Sequence, residues 1–533
     1  VATAAVAVAV AAISMLCLVA GTSAVPSHAS PLVPQPEAAG RLSVIVSDLH
    51  FGPGKTNGQW SPFEDFRWPR ALAAFLDAIS QQGHARVDLI IAGDLLELWQ
   101  HPATACAGRG AEHGCTSAEI LDIVSAIIDA HKADLRQLGQ FAERGANHLY
   151  VIPGNHDAAL MTDDAARKLM AAISNARDRV TLVTSGRWTS PSHALVVEHG
   201  HQIGVDPNRF WQWPSVSTTI EGQSYMDRSW GEQFVQQLFN DVERTEPLID
   251  NLLPLTEGVK IYGRRRGLLG ASADFALFLK FNILQTSLRQ KGTLGAADDG
   301  GAQPDPQIGR RLGYLLFADA LADDDPSRAA LLDERNEQGA ALRESLNALA
   351  ADKERTSDAD VLDLCATIAI RQTQSSTPRR GCVASLSASI QQARVPLDRI
   401  IAAHVSALPD ARALQLFVYG HTHEVAFNWN VKVDDGRTVA VFNTGAFQRL
   451  VDEPTLRQLA SAQGVSYDAS LGQVPLESLP ACYPAVFVTE TAGKADGRLL
   501  NWFMEERAAS GEFIDPCDNR CPSAHSPFCS SPR

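Results

Sequence analysis

Short apolar runs recur along the chain, and each ends in a polar cluster: RLSVIVSDLH, VDLIIAGDLLE, HLYVIPGNHD, ALVVEHGHQ, LQLFVYGHTHE and TVAVFNTGAF. Uninterrupted Val/Ile/Leu stretches of this length predict strands buried on both faces rather than half-exposed ones. Between them lie segments with helical spacing. PRALAAFLDAISQQG opens with Pro69 and closes at Gly83, and residues 117–145 place Ser117 at an N-cap position with Glu119 and Asp122 close behind. Strands alternating with helices predict an α/β layered core, and ligands in such sheets gather at the carboxyl ends of strands. Every polar cluster falls at such an end.

Between residues 205 and 412 the pattern changes to helix-like stretches with polar gaps, among them SWGEQFVQQLFNDVERT, ADFALFLKFNILQTSLRQ, ALLDERNEQGAALRESLNALAADKER and SASIQQARVPLDRIIAAHVSAL. A Gly/Asp/Pro-rich loop, KGTLGAADDGGAQPDPQIG, interrupts them, and the strand pattern resumes only at Leu414. The predicted organisation is a core in two parts, 41–204 and 413–482, split by a mainly helical insertion over 205–412 and followed by C-terminal strands and a Cys-rich tail over 483–533. Both ends of the insertion must return to the core, so a lid or specificity element is its expected role. The apolar ADFALFLKFNIL stretch is expected either to lie buried against the core or to meet a membrane surface or a lipid-like substrate.

The first residues form an uncharged, Ala/Val-rich run followed by Thr22, Ser23 and Ala24, which reads as the apolar region and cleavage zone of an export signal over 1–24. A retained membrane anchor is the alternative. Residues 25–40 are a Pro-rich linker. Of nine cysteines, Cys17 falls in the leader, and the even remainder suits an oxidising compartment, periplasmic or extracellular. Cys106 with Cys115, and Cys365 with Cys382, read as local loop staples. Cys482, Cys517, Cys521 and Cys529 allow three pairings, and a zinc site from Cys517, Cys521, Cys529 and His525 is the rival reading.

Composition narrows the function. Apolar residues make up 45% and charged residues 20% of 533, which excludes general disorder. Lys plus Arg 46 against Asp plus Glu 61 leaves a net charge of −15, so no nucleic-acid binding is expected and an anionic substrate needs local positive charge such as metal ions.

The strand ends supply that chemistry: Asp48 and His50, Asp94, Asn155 with His156 and Asp157, His199, and His421 with His423. Carboxylate and amide oxygens mixed with imidazoles suit a pair of divalent transition metals and are too nitrogen-rich for calcium. In Asp-x-His and His-x-His, alternate side chains just past a strand can point at one spot. Glu97 reads as a cap or supporting group, His201 as a bystander, and Asn443 to Phe447 as a turn beside the metals. Arg264, Arg265 and Arg266 read as a solvated face, with phosphate binding as the alternative. Phe210, Trp211 and Trp213 read as packing of the insertion onto the core.

Taken in order, SDLH, GDLLE, PGNHD, EHGH and GHTH resemble the motifs of the calcineurin-like metallophosphoesterase superfamily. The likeness covers residues 42–204 and 414–447, and the wording SDLHFG, GDLLELW and NTGAF is most similar to the UDP-diacylglucosamine pyrophosphohydrolase-like branch. The resemblance implies a four-layer αββα sandwich and two divalent ions, Mn, Fe or Zn. It further implies one ion on Asp48, His50, Asp94 and His423, and a second on Asp94, Asn155, His199 and His421. His156 would stand beside the scissile phosphate, with Asp157 orienting it. Two such ions, about 3.5–4 Å apart, make a bridging hydroxide near neutral pH and clamp phosphoryl oxygens for in-line attack. The expected activity is hydrolysis of a phosphodiester, pyrophosphate or phosphomonoester on a small or lipid-like molecule. The alternative is a catalytically silent binding protein whose insertion recognises a partner.

Overall fold

The computed structural model describes residues 32–530 except 37–39, 102–104, 107–111, 175, 177, 205, 207, 254–257, 259–260, 263–396 and 434. The chain divides into two compact units, Val1–Leu32 and Val33–Arg533, and all the described helices and strands belong to the second. The leader with its anchor alternative, the Cys365 and Cys382 staple, the Arg264 to Arg266 run, the Gly/Asp/Pro-rich loop and the ADFALFLKFNIL stretch lie outside the described residues.

All six apolar runs form strands. A seven-stranded sheet has the order Glu512–Ile514, Lys494–Phe503, Cys482–Thr491, Leu42–Val46, Val87–Ala92, His148–Ile152 and Val180–Leu182. A five-stranded sheet has the order Val425–Lys432, Thr438–Thr444, Leu416–Tyr419, Leu195–Glu198 and Arg187–Thr189. The first sheet is parallel from Leu42–Val46 through Val180–Leu182, and Leu416–Tyr419 lies parallel to both its neighbours in the second. The result is a mixed α/β fold of several sheets.

Strand side chains alternate between faces, and the packing follows that period. Val44, Leu89 and Val151 join a cluster with Leu72, Phe75, Leu135, Leu138 and Leu169 from helices on one face of the large sheet. Their neighbours Ile45, Ile90 and Ile152 join Leu195, Val197, Leu416 and Val418 of the smaller sheet in another. Val196, Phe417 and Val441 pack with Ile401, Ala402 and Val405 of the helix Leu397–Ser406. Burying each such aliphatic side chain is worth about 1.5–3 kcal/mol. This two-sided burial explains why these strands read as unbroken apolar runs.

Several boundaries differ from the sequence expectation. The helix expected over 117–145 is two, Ser117–Ala130 and Lys132–Ala142, and Thr116 rather than Ser117 is the N-cap, exchanging hydrogen bonds with Glu119. The boundary at 482 falls on a strand that pairs antiparallel with Leu42–Val46, so the C-terminal strands belong to the main sheet. The described start of the insertion is not purely helical. Ser217–Ile220 and Gln223–Asp227 form a hairpin, because β-branched Thr218, Thr219 and Ile220 flank a two-residue turn at Glu221 and Gly222 with φ of 53° and 82°. Helical turns follow at Trp230–Phe234 and Asn240–Glu243.

Disulfides join Cys106 to Cys115, Cys482 to Cys521 and Cys517 to Cys529. That pairing overturns the zinc alternative, since the sulfurs are bonded to each other and His525 pairs with Asp452. Among the described residues no helix is long and apolar enough to cross a membrane.

The break between the two helices has a structural use. His131 is buried there, stacked on Phe51 at 4.7 Å, with ring nitrogens 3.0 Å from Asp134 and 3.1 Å from Glu64. Glu64 in turn accepts from the backbone N–H groups of Gly54 and Phe66, so this network pins the loop that follows His50. Burial opposes a charged imidazole, but Asp134 and Glu64 together push His131 up to about 9. A raised folded-state pKa gives stability that is complete below the unfolded value of about 6.5 and is lost as pH rises through the folded one. His131→Gln is therefore expected to cost on the order of 2 kcal/mol at pH 6, and denaturant melts of the two proteins should converge as pH passes about 9.

Candidate metal centre

The polar clusters continue directly from the strands and are tied to one another by backbone hydrogen bonds. Asp48 N–H donates to Gly93 O at 3.1 Å, His50 N–H to Asp94 O at 3.0 Å, Gly420 N–H to His199 O at 2.8 Å, and Phe447 N–H to Ser47 O at 2.9 Å. Asp48, His50, Asp94, His421 and His423 have φ of 54°, 49°, 52°, 73° and 59°. These are left-handed conformations that cost non-glycine residues roughly 1–3 kcal/mol each and cluster at functional sites. Backbone reversal at these residues, rather than strand alternation carried past the strand end, therefore directs their side chains.

Asp48, His50 and His423 form one group of potential ligand atoms and Asp94, His199 and His421 another, with the atoms of each group within 4.8 Å of one another. His423 Nε2 is 3.4 Å from Asp48 Oδ1, and His50 Nε2 is 3.8 Å from both Asp48 Oδ1 and Asp94 Oδ2. His199 Nε2 is 3.0 Å from the same Asp94 Oδ2 and 2.8 Å from Asn155 Oδ1. Asp94 thus stands between the groups. Asp48, Asp94, Asn155 and His199 are all at most 1% exposed.

The imidazoles are oriented from behind. His199 Nδ1–H donates to Ala92 O at 2.8 Å and His50 Nδ1–H to Glu97 Oε2 at 2.8 Å, which leaves each Nε2 facing the carboxylates. That is how a metal-binding histidine is usually held. Asp48 Oδ2 accepts from His421 N–H and the Ser47 hydroxyl, while Asp48 Oδ1 and His50 Nε2 are buried with no hydrogen-bond partner among the described residues. Unsatisfied buried acceptors of this kind fit a cation, and the mixed oxygen and nitrogen donor set fits a divalent transition ion.

Charge reinforces the arrangement. Burial opposes ionisation of Asp48 and Asp94, yet the surrounding histidines hold both carboxyls well below the ordinary range. Burial likewise opposes charge on His199, but Asp94 pushes it up to about 9. The same negative field attracts a cation.

One assignment changes, and Glu97 takes the supporting place expected of it. Asp157 does not orient His156, because its carboxylate accepts from the backbone N–H groups of Gly154, Leu95 and Leu96 and so splices two strand ends together. Burial and the nearby Asp94 push Asp157 up to about 7. The residue that holds His156 is Glu97: its Oε2 takes His156 Nδ1–H at 2.5 Å as well as His50 Nδ1–H, while its Oε1 caps Trp99 and Gln100 N–H groups. Burial resists, but His156 and His50 bring Glu97 down to about 2. The indole of Trp99 stacks on His156 at 3.9 Å, a contact foreshadowed only by an aromatic residue next to the motif. Asp206, also unforeseen, lies 3.1 Å from His421 Nε2.

The remaining expectations find simple places. His201 is buried against Trp213 at 4.4 Å and Phe210 at 5.9 Å, outside both ligand groups, while Trp211 is exposed. Asn443 donates to Gly420 O and Thr422 Oγ1, and Thr444 Oγ1 lies 2.6 Å from Ser47 Oγ, so this segment shapes the turn that carries His421 and His423.

Residues 43–260 match the family model of the calcineurin-like phosphoesterases. Over these residues the chain is similar to the calcineurin-like phosphoesterases. A search of curated proteins finds no match to the chain. The family match does not single out the pyrophosphohydrolase-like branch. His421 and His423 lie beyond the matched residues, and they join the centre because Leu416–Tyr419 pairs in parallel with Leu195–Glu198.

Gly154 shows how tightly the candidate metal centre is packed. A β-carbon there would overlap the carboxylate and the backbone nitrogen of Asp94, with no flexible neighbour able to yield without moving that residue. Gly154→Ala is expected to cost about 1–3 kcal/mol in denaturant unfolding, with divalent-ion affinity falling alongside when measured by calorimetry.

Proposed function

We propose that the domain is a dimetal hydrolase of phosphate esters. One ion is held by Asp48, His50, Asp94 and His423, and the other by Asp94, Asn155, His199 and His421. The observation that carries this reading is the position of Asp94 Oδ2 between His199 and His50, with Asp48 Oδ1 and His50 Nε2 buried and unpartnered beside it. Bound there, divalent ions supply Lewis acidity and a nucleophile from water near neutral pH.

The chain's own groups then divide the remaining work. Asn155 brings an amide oxygen, which adds a donor without adding negative charge against a phosphate. His156, its side chain 19% exposed against 1% for Glu97, is a histidine that a substrate can reach. Glu97 keeps the Nδ1 proton and Trp99 fixes the ring plane, so Nε2 is the atom left to stabilise charge on a phosphoryl oxygen or pass a proton to the leaving oxygen. Glu97 is a positioning residue in this scheme, and Asp157 supports the loop.

The packing clusters on either face of each sheet support a helix, sheet, sheet, helix stacking. The insertion is a specificity element in this reading. Its first described residue, Asp206, touches His421, and His404 in its last helix lies 2.7 Å from Glu198 at the end of the strand before His199. Three disulfides favour an exported protein.

The test is hydrolysis by the Mn²⁺-loaded chain of a nitrophenyl phosphodiester and the matching monoester. Asp94→Asn should abolish turnover and reduce bound Mn²⁺. His156→Ala should keep the metal and lose roughly 10²–10⁴-fold in kcat. Wild-type rates in both variants would sink the proposal, and two bound ions with no turnover of either ester would point instead to a binding role.

A further inference from the structure

A second buried anionic cluster lies beside the histidine-rich centre and plays no part in the scheme above. Asp65, Glu243 and Asp250 bring carboxylate oxygens within 4.8 Å of one another. Asp65 is 5% exposed and Glu243 is fully buried. They come from different parts of the chain. Asp65 follows Glu64 in the loop that continues from His50, Glu243 ends the helical turn Asn240–Glu243, and Asp250 precedes the short strand Leu252–Leu253.

Three carboxylates this close repel one another strongly when little water separates them. Among the described residues no lysine or arginine forms an ion pair with any of the three. Gln100 Nε2–H donates to Glu243 Oε2 at 2.6 Å, which satisfies one oxygen of one member. Glu243 Oε1 and Asp250 Oδ1 are buried with no partner among the described residues, as is Gln100 Oε1. Burial followed by mutual repulsion raises the carboxyls of Asp65 and Glu243 well above the usual range. Asp250 is raised chiefly by burial, partly offset by His423. A fully buried carboxylate oxygen left without a donor, in a group of three, marks a place for positive charge.

The donor chemistry selects the ion. The group offers oxygens alone, whereas the neighbouring centre is rich in imidazole. Oxygen-only, carboxylate-rich sites favour hard cations, and Ca–O bonds of about 2.3–2.6 Å span a cluster of this size. We propose that Asp65, Glu243 and Asp250 form a third cation site, of the Ca²⁺ class, distinct from the two-ion centre. An ion there joins the loop that follows His50 to the start of the insertion, so it fastens the insertion to the phosphoesterase core.

The experiment is equilibrium dialysis of the full chain against ⁴⁵Ca²⁺, with Asp94→Asn, Glu243→Gln and Asp65→Asn in parallel and melting temperatures recorded with and without Ca²⁺. The wild-type chain and Asp94→Asn should bind one Ca²⁺ with similar affinity and melt higher in its presence. Glu243→Gln and Asp65→Asn, which preserve side-chain volume, should bind at least about tenfold more weakly and lose the thermal shift. No Ca²⁺ bound by the wild type at about 10 mM, above the weakest usual protein sites, overturns the site whatever the variants do. Binding that vanishes in Asp94→Asn but survives in Glu243→Gln would place the ion in the histidine centre, also overturning it. A higher melting temperature for Glu243→Gln with no response to Ca²⁺ would mean that the three carboxyls share protons instead.

Discussion

The carboxylate of Asp94 is the point on which the two halves of the site close. One oxygen accepts the His156 N–H at 2.9 Å, and the other lies 3.0 Å from His199 Nε2 and 3.8 Å from His50 Nε2. Those histidines follow strands of both sheets. Holding a carboxylate ionised with 1% exposure requires cationic or hydrogen-bonding neighbours on every side. Much of the surrounding architecture supplies them. The left-handed backbone at Asp94 and Asp48, the absence of a side chain at Gly154, and the splice made by Asp157 all serve to bring those neighbours in.

Behind the first layer of donors stands a second set of buried anions with a supporting role. Glu97 fixes His50 and His156 with one oxygen, so a single carboxylate aligns both imidazoles. Glu64, through His131 and Asp134, holds the loop beyond His50. Each of these carboxylates is matched to a histidine. Asp65, Glu243 and Asp250 differ in having no such match among the described residues, and on that difference the third cation site rests.

Much of this was legible in the sequence, for identifiable reasons. Strands buried on both faces leave unbroken apolar runs, so Leu42–Val46, Val87–Ala92, His148–Ile152, Leu195–Glu198, Leu416–Tyr419 and Thr438–Thr444 could be read directly. The site residues follow those runs without intervening loops, so their order on the chain exposes them. The hairpin at Ser217–Ile220 and Gln223–Asp227 was hidden among helical patterns because its strands are short and partly exposed. The C-terminal strands Cys482–Thr491 and Lys494–Phe503 were legible as strands, but nothing in their pattern says that Cys482–Thr491 pairs with Leu42–Val46.

The sequence by itself determined which residue types stand at the strand ends, and therefore that carboxylates and imidazoles form a donor set suited to divalent ions. It could not decide how each side chain is oriented, because orientation depends on contacts between segments far apart in the chain. Asp157 and Glu97 make the point: both are acidic and close to the clustered donors, and only the tertiary structure places one on backbone N–H groups and the other between two imidazoles. The meeting of Asp65 with Glu243 and Asp250 is likewise decided only by the fold, since the repulsion among them arises from distance in space and leaves no periodic trace along the chain.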